Sequence, residues 1–461
     1  MLDVVFEQLE NVRDEPAWRQ PPPEVIERLK SPMPREGAAL ERVFEDFRRD
    51  ILPYPTGNVH PRFFGWVHGS GTPAGALADL FAAVMNSNVG GRHHAAVYVE
   101  RQVIRWFCDL FAFPEGASGI LTTGTSLANF LAVSIARTAT SGRAVRDTGI
   151  GAAPGLTAYT SEAAHCCIAQ AFELSGLGAN ALRILPVDAQ GRLDPNRVRE
   201  AIAQDRGAGR TPFMLIATAG TVDTGAIDPL EALHELARNE RLWFHVDGAF
   251  GATIALSDSL RPRLRGIENA DSIAFDFHKW LHVPYDDACL IVRDGDVHRA
   301  TFASEGPYVT RMERGTAAGR PWFADYGPEL SRGFRALKVW FTIRHFGTAR
   351  LARAIEENCR QAQLLADRLT EHGVFELAAP VHLNIVCFRM RAEVRPPEEC
   401  DRLNDELAIA LQESGDAVVS TTTLGGRRVL RACITNQRTR DDDIARTAEA
   451  LTRIARGFLR G

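Results

Sequence analysis

Between Phe63 and Val292 the chain alternates short, almost wholly apolar runs with helical stretches, and no other feature narrows the fold as much. The runs are LRILPV (182–187), FMLIAT (213–218), LWFHVD (242–247), DSIAFD (271–276) and ACLIV (288–292), with stretches such as LEALHELARNE (230–240) between them. A strand with one wet face alternates apolar and polar residues, whereas a strand that is apolar throughout is covered on both faces. Such strands separated by helices predict a mostly parallel α/β sheet flanked by helices, a large domain over residues 63–346. A long helix around Ser331–Phe346 ends it. Helical segments near 351–371 and 398–414, strand-like HLNIVCFRM (382–390) and RRVLRACI (427–434), and a last amphipathic helix from about Asp441 to Phe458 predict a small α+β domain over 347–461. Residues 1–62, with an acidic helical opening and prolines at 21, 22, 23, 32 and 34, read as an arm laid over another surface.

Composition sets limits on function. The formal net charge of −5 gives no electrostatic reason to expect nucleic-acid binding. No apolar stretch approaches the roughly 20 residues of a membrane span, and the opening MLDVVFEQLE carries acid where a signal peptide needs base. The eight cysteines are scattered without a CxxC spacing, so neither a metal site nor a disulfide framework is expected. The chain reads as cytoplasmic. Its basic residues are nearly all arginine, and the three lysines are Lys30, Lys279 and Lys338.

Lys279 stands out among them. In DSIAFDFHKWLHVPYDDACLIV (271–292) a strand ends, His278 and Lys279 follow in a turn, and another strand begins beyond Pro284. An amine at a strand end beside a histidine suits a Schiff base with an aldehyde cofactor. The plainer alternative is a surface lysine, which the apolar neighbours Phe277, Trp280 and Leu281 disfavour. Lys30 lies in the proline-flanked arm, and Lys338 lies among arginines on a helix.

Three further segments carry polar groups at strand ends or helix starts. LWFHVDGAFGA (242–252) ends an apolar strand in Asp247, where open α/β sheets bind ligands. A carboxylate there suits the protonated ring nitrogen of a pyridine cofactor, and the small residues after it admit a flat ring. A helix N-cap is the alternative for that aspartate. GILTTGTSLANFLAVSIA (119–136) is a Gly/Thr/Ser turn running into a helix, and its backbone N–H groups with Thr125 and Ser126 form a phosphate cradle. In YTSEAAHCCIAQAFEL (159–174), His165 follows another possible strand and opens a helix; alone, such a histidine is more often structural.

Together the segments TTGTSLAN, SEAAH, ATAGTVDTGAIDPL, HVDGAFGA and HKWLHVPYD resemble, in order and spacing, the group II amino-acid decarboxylases, fold-type I enzymes that use pyridoxal 5'-phosphate (PLP) and include aromatic-L-amino-acid decarboxylase. The resemblance runs from HPRFFGWV (60–67) through the helix at Arg335–Phe346 and is strongest over 119–292. It implies that Lys279 is the Schiff-base lysine and Asp247 the partner of the pyridine nitrogen. It further implies His165 stacked on the ring, Ala249 on the opposite face, Thr125 and Ser126 on the phosphate, Thr218 beside the cofactor, and His278 at the cofactor–substrate boundary. Trp66, Val67 and His68 would line the substrate pocket, and Arg92, His93 and His94 would approach it from a second subunit. A homodimer with an exchanged N-terminal arm follows from the same resemblance, as does decarboxylation of an L-amino acid.

The chain departs from that family twice. Where the family commonly has Asn-Pro before His-Lys, this chain has Asp276-Phe277, and an acid close to a phosphate is unfavourable unless it is paired. The sphingosine-phosphate lyases, a related group, also carry an acid two residues before His-Lys, but they lack the WLHVPYD continuation. The family's loop tyrosine aligns without gaps on Phe323, which donates no proton; Tyr326 and Tyr308 are nearby substitutes, with Tyr326 favoured. Without such a donor the expected product shifts from amine to aldehyde. Simple decarboxylation is the first expectation, with an aldehyde synthase or another carbon–carbon lyase as alternatives. A non-catalytic PLP-fold binding protein is the reading of a different class, and retention of Lys279, Asp247 and His165 together argues against it.

Overall fold

In the computed structural model, all residues are described except 153–154, 305–310, 372, 392–394 and 461. The contacts divide the chain into two compact units: Gly71–Glu356, and Met1–Ser70 together with Glu357–Gly461. The expected boundaries lay at 62/63 and 346/347.

The larger unit is built on seven strands: β1 (Ser118–Thr122), β2 (Leu156–Ser161), β3 (Leu182–Leu185), β4 (Thr211–Thr218), β5 (Trp243–Asp247), β6 (Ser272–Asp276) and β7 (Ala288–Val292). Their order across the sheet is β1-β7-β6-β5-β4-β2-β3. The pairs from β3 through β6 are parallel, and β7 runs antiparallel to both its neighbours β6 and β1. This is the mostly parallel sheet expected from the apolar runs. Every residue of β2, β6 and β7 is buried, which is why those runs lack an alternating polar face. LRILPV is the exception. It forms the edge strand β3, where Ile184 is 60% exposed, so apolar content alone did not place it.

The helix Thr125–Ser141 buries Ala128, Leu131, Ala132 and Ile135 in the same cluster as Ile120, Ala274 and Leu290 of the sheet. Helical structure from Ala336 to Glu371 is interrupted at Gly347, whose φ of 69° no helix interior adopts; this separates the two helical segments read from the sequence.

The smaller unit has a four-stranded antiparallel sheet ordered β10-β11-β9-β8, with β8 (Phe375–Leu377), β9 (Ile385–Met390), β10 (Ser420–Leu424) and β11 (Arg427–Cys433). Helices Pro397–Glu413 and Asp441–Arg460 contribute Leu407, Leu411, Ile444 and Leu451 to its core. The N-terminal residues join this unit through specific contacts. The Ala17 N–H donates to Gly415 O at 2.9 Å, the Phe64 N–H to Val418 O at 2.7 Å, and Arg13 pairs with Asp443. Phe64 is itself fully buried in that core. Among the described residues no helix is long and apolar enough to cross a membrane.

Candidate active site

Parallel strands bring their carboxyl ends to one edge, and the chemistry-bearing residues collect there. Thr218 ends β4, Asp247 ends β5 and Asp276 ends β6. Thr218 pairs in register with Asp247, and Asp247 with Ala274, so the three groups sit on adjacent strands. Thr125 opens its helix just beyond the end of β1, on the same edge.

Lys279 follows β6 by three residues and folds back on it, with Nζ 2.7 Å from Asp276 Oδ2. The other oxygen, Asp276 Oδ1, accepts the Thr125 backbone N–H at 2.8 Å, and His278 Nε2 lies 3.8 Å away. Burial works to raise the Asp276 carboxyl, but the Lys279 charge, His278 and the hydrogen bonds outweigh it and hold the group below its ordinary range. Lys279 shows the mirror image. Burial lowers its ammonium, Asp276 raises it more, and the net shift is upward. The acid that looked misplaced beside a phosphate cradle is thus paired.

Asp247 is buried, with no cation in hydrogen-bond contact among the described residues. Its Oδ1 accepts the Ala249 N–H and its Oδ2 accepts Asn129 Nδ2, each at 3.1 Å. Burial pushes this carboxyl above its ordinary value, against the opposing pull of Lys279, the Ala249 N–H and His165. The His165 ring is exposed and accepts the Cys167 backbone N–H on Nδ1 at 3.2 Å. Ala249 is half-buried and Ser126 exposed. Thr218 is anchored through its backbone, since Asp228 Oδ2 accepts its N–H at 2.7 Å. The His278 ring lies against Tyr285, centroid to centroid 4.3 Å.

Three buried hydroxyls on this edge, Thr125 Oγ1, Ser161 Oγ and Thr218 Oγ1, have no hydrogen-bond partner among the described residues. Ser161, the last residue of β2, was not singled out in the sequence. Nor were Asn129 and His245, although a polar residue inside the apolar helix pattern and a histidine inside an apolar strand were visible signals.

Trp66, Val67 and His68 belong to the smaller unit, where Trp66 and His68 stack at 5.7 Å and Arg431 donates to Trp66 O. Arg92 covers the Trp322 ring at 4.4 Å, His93 Nδ1 meets Tyr98 OH at 2.7 Å, and His94 Nε2 meets Asn88 O at 3.1 Å. Tyr326 is not gathered around Lys279. Its ring packs on His298 at 4.9 Å, and His298 bonds Ser118 at the amino end of β1, the edge opposite the lysine. Phe323 is buried under Arg332, and Tyr308 falls outside the described residues. Arg311 pairs with Asp325, and Trp322 packs on Gly91.

A family model, the pyridoxal-dependent decarboxylase conserved domain, matches residues 22–391. The aromatic-L-amino-acid decarboxylase of Bacillus atrophaeus is 29% identical over 449 residues, covering 96% of this chain and 91% of that protein. A phenylacetaldehyde synthase of Arabidopsis thaliana is 30% identical over 446 residues, covering 94% and 90%. The crystal structure of Oryza sativa TDC with PLP and tryptamine superposes with a TM-score of 0.90 at 26% identity, covering 99% of this chain and 96% of that one. With the family model spanning most of its length, this chain belongs to the pyridoxal-dependent decarboxylase family.

Proposed function

We infer that the protein is a PLP-dependent carboxy-lyase that converts an L-amino acid to its amine and CO2, with the cofactor attached to Lys279. The observation that carries the site assignment is the set of three unpartnered buried hydroxyls around the Lys279–Asp276 pair, whose carboxylate is buried, and an Asp247 with only neutral donors among the described residues. Buried polar groups without partners are rare, and these match a ligand with several acceptor oxygens and a cationic ring nitrogen. The residues present therefore fit PLP. When bound, PLP supplies an aldehyde that condenses with amines and a pyridinium that draws electrons from the substrate's α-carbon.

The chain's own groups divide that work. Thr125 and Ser126 would hold the phosphate with the N-terminus of their helix. Asp247, fixed by Ala249 and Asn129, keeps a proton on the ring nitrogen. The exposed His165 ring and the small Ala249 would flank the cofactor ring, Thr218 would border it, and His278 would face the incoming substrate. Trp66, Val67, His68, Arg92, His93 and His94 are assigned to substrate recognition on the sequence resemblance.

A homodimer is part of the same proposal. Leu77, Leu80, Phe81, Val84 and Met85, all on the helix Pro73–Met85, are exposed, and a contiguous apolar face of this kind marks an interface. Exchange of the arm between subunits belongs to it too. All eight cysteines are free, which favours a reducing compartment such as the cytoplasm.

Incubating the PLP-loaded protein with each common L-amino acid tests the function, by measuring CO2 and amine. Absence of CO2 from every substrate would overturn it. Aldehyde synthesis is a second reading, favoured by Phe323 at the aligned position of the family's loop tyrosine. Stoichiometric peroxide and aldehyde would select it.

A further inference from the structure

Behind Asp247 a line of buried polar side chains crosses the sheet. Trp243 Nε1 lies 2.8 Å from Ser272 Oγ, which lies 2.8 Å from His245 Nδ1. His245 Nε2 is 2.9 Å from Asn129 Oδ1, and Asn129 Nδ2 is 3.1 Å from Asp247 Oδ2. His245, Asn129 and Ser272 are all inaccessible to solvent.

One end of this line sets its direction. An indole N–H can only donate, so Ser272 Oγ accepts from Trp243, and the hydroxyl's own proton has one described acceptor on the line, His245 Nδ1. A neutral imidazole that accepts on Nδ1 carries its proton on Nε2, which then donates to Asn129 Oδ1. That fixes the amide so that its N–H, not its oxygen, faces Asp247. The reversed amide would set oxygen against carboxylate, which only a protonated Asp247 would tolerate. Complete burial drives the His245 imidazole down to about 3, so it stays neutral at working pH and the order of donors holds.

We propose that Trp243, Ser272, His245 and Asn129 form a one-way hydrogen-bond relay that keeps Asp247 ionised as a proton acceptor despite its burial. The purpose assigned to the relay rests on the PLP reading, in which Asp247 faces the ring nitrogen. The four are positioning residues, acting through Asp247. The charged and titratable groups facing Asp247 are Lys279, His165 and Asp276, with the Cys167 thiol beside Asn129. None of these is part of the relay, so a relay variant leaves them in place.

The test uses the full-length apoprotein, with NMR of 15N-labelled His245 and 13C-carboxyl-labelled Asp247. His245 is expected to carry its proton on Nε2 and not to titrate between about pH 5 and 9, well above its folded value. Ser272→Ala and Trp243→Phe should each raise the Asp247 titration midpoint, with at least about a tenfold gain in proton affinity, as loss of an oriented donor to a carboxylate implies. Ser272→Thr keeps the hydroxyl and should restore the wild-type midpoint. Trp243 is only half-buried, so its variant remains informative if Ser272→Ala does not fold. A proton on His245 Nδ1, or an Asp247 midpoint unmoved in a folded variant, would overturn the relay. These signals need no cofactor. Failure of the PLP reading would show separately, as no borohydride-fixed adduct on wild-type Lys279.

Discussion

Asp276→Asn isolates the charge on the most unusual residue of the site. Asparagine keeps an oxygen for the Thr125 N–H but takes the negative charge from beside Lys279, whose Nζ is 2.7 Å away. At that distance the attraction is about 6 kcal/mol at an effective dielectric constant near 20, before the cost of burying both ions. Breaking a buried pair from one side typically costs about 3–5 kcal/mol. The low end is expected, about 3 kcal/mol, because the Lys279 side chain is 23% exposed and the ammonium can shed its proton. The pH window follows from the two shifts. Asp276 is depressed, so its contribution is present above the ordinary 3.8 and is lost as pH falls through its folded value. Lys279 is raised, so its contribution is present below 10.5 and is lost as pH rises through its folded value. Urea denaturation of the apoproteins should show the full difference at pH 5, 7 and 9 (about 3 kcal/mol) and a shrinking one in strong acid. A lysine freed from Asp276 also loses its proton earlier. Covalent PLP attachment, trapped with borohydride, should therefore begin at lower pH in the variant. Stabilities within about 0.5 kcal/mol, the size of an ordinary surface change, together with an unmoved onset, would refute the coupling.

Other variants test the remaining assignments. Lys279→Ala should abolish borohydride-fixed PLP; a peptide map that placed PLP on exposed Lys30 or on Lys338, which is held at Tyr285 O, would refute the lysine assignment. Asp247→Ala should still take up PLP yet turn over roughly 10–150-fold more slowly, the equivalent of losing a hydrogen bond to a charged group worth about 1.5–3 kcal/mol; turnover near wild type would make Asp247 a helix cap only. Tyr326→Phe should leave the rate of amine formation within about twofold, because its ring packs on His298 at the far edge of the sheet; a large fall with oxygen uptake would return the tyrosine to the reaction. Phe81→Glu should shift sedimentation from dimer to monomer, and a wild-type profile would exclude that helix face as the interface.

The sheet was legible because burial on both faces leaves continuous apolar runs, which FMLIAT and DSIAFD display and the edge run LRILPV does not obey. Lys279, Asp247 and Thr125 were legible because each ends or follows such a run, and strand order carries all three to one edge. The surroundings of Tyr326 were not legible from local spacing. The residue is near the aligned position in sequence, yet the chain returns it to the amino end of β1, about 13 Å of strand from the carboxyl end. The relay behind Asp247 was hidden in another way. It joins the helix Thr125–Ser141 to β5 and β6, residues far apart in sequence that become partners only when the sheet is assembled.

Two buried acids face one lysine, and the way the chain divides its donors between them tells them apart. Asp276 receives Lys279, its carboxyl falls below the ordinary range, and its second oxygen is used by the Thr125 N–H. Asp247, two strand positions away across β5 and β6, receives only a backbone amide and a side-chain amide, and its carboxyl rises. A buried carboxylate with neutral donors alone lacks compensation for its charge, and adding a cation next to it is the change that stabilises it most. Asp276 already has its cation within the chain. Asp247 is the acid left with an open electrostatic demand, at a strand end lined by unpartnered Ser161 and Thr218 hydroxyls, and a protonated ring nitrogen meets that demand. The strength of cofactor binding should then depend on Asp247 through its charge and on Asp276 chiefly through Lys279, so Asp247→Asn is expected to weaken the affinity for PLP at every pH at which Asp276→Asn alters only the onset of attachment.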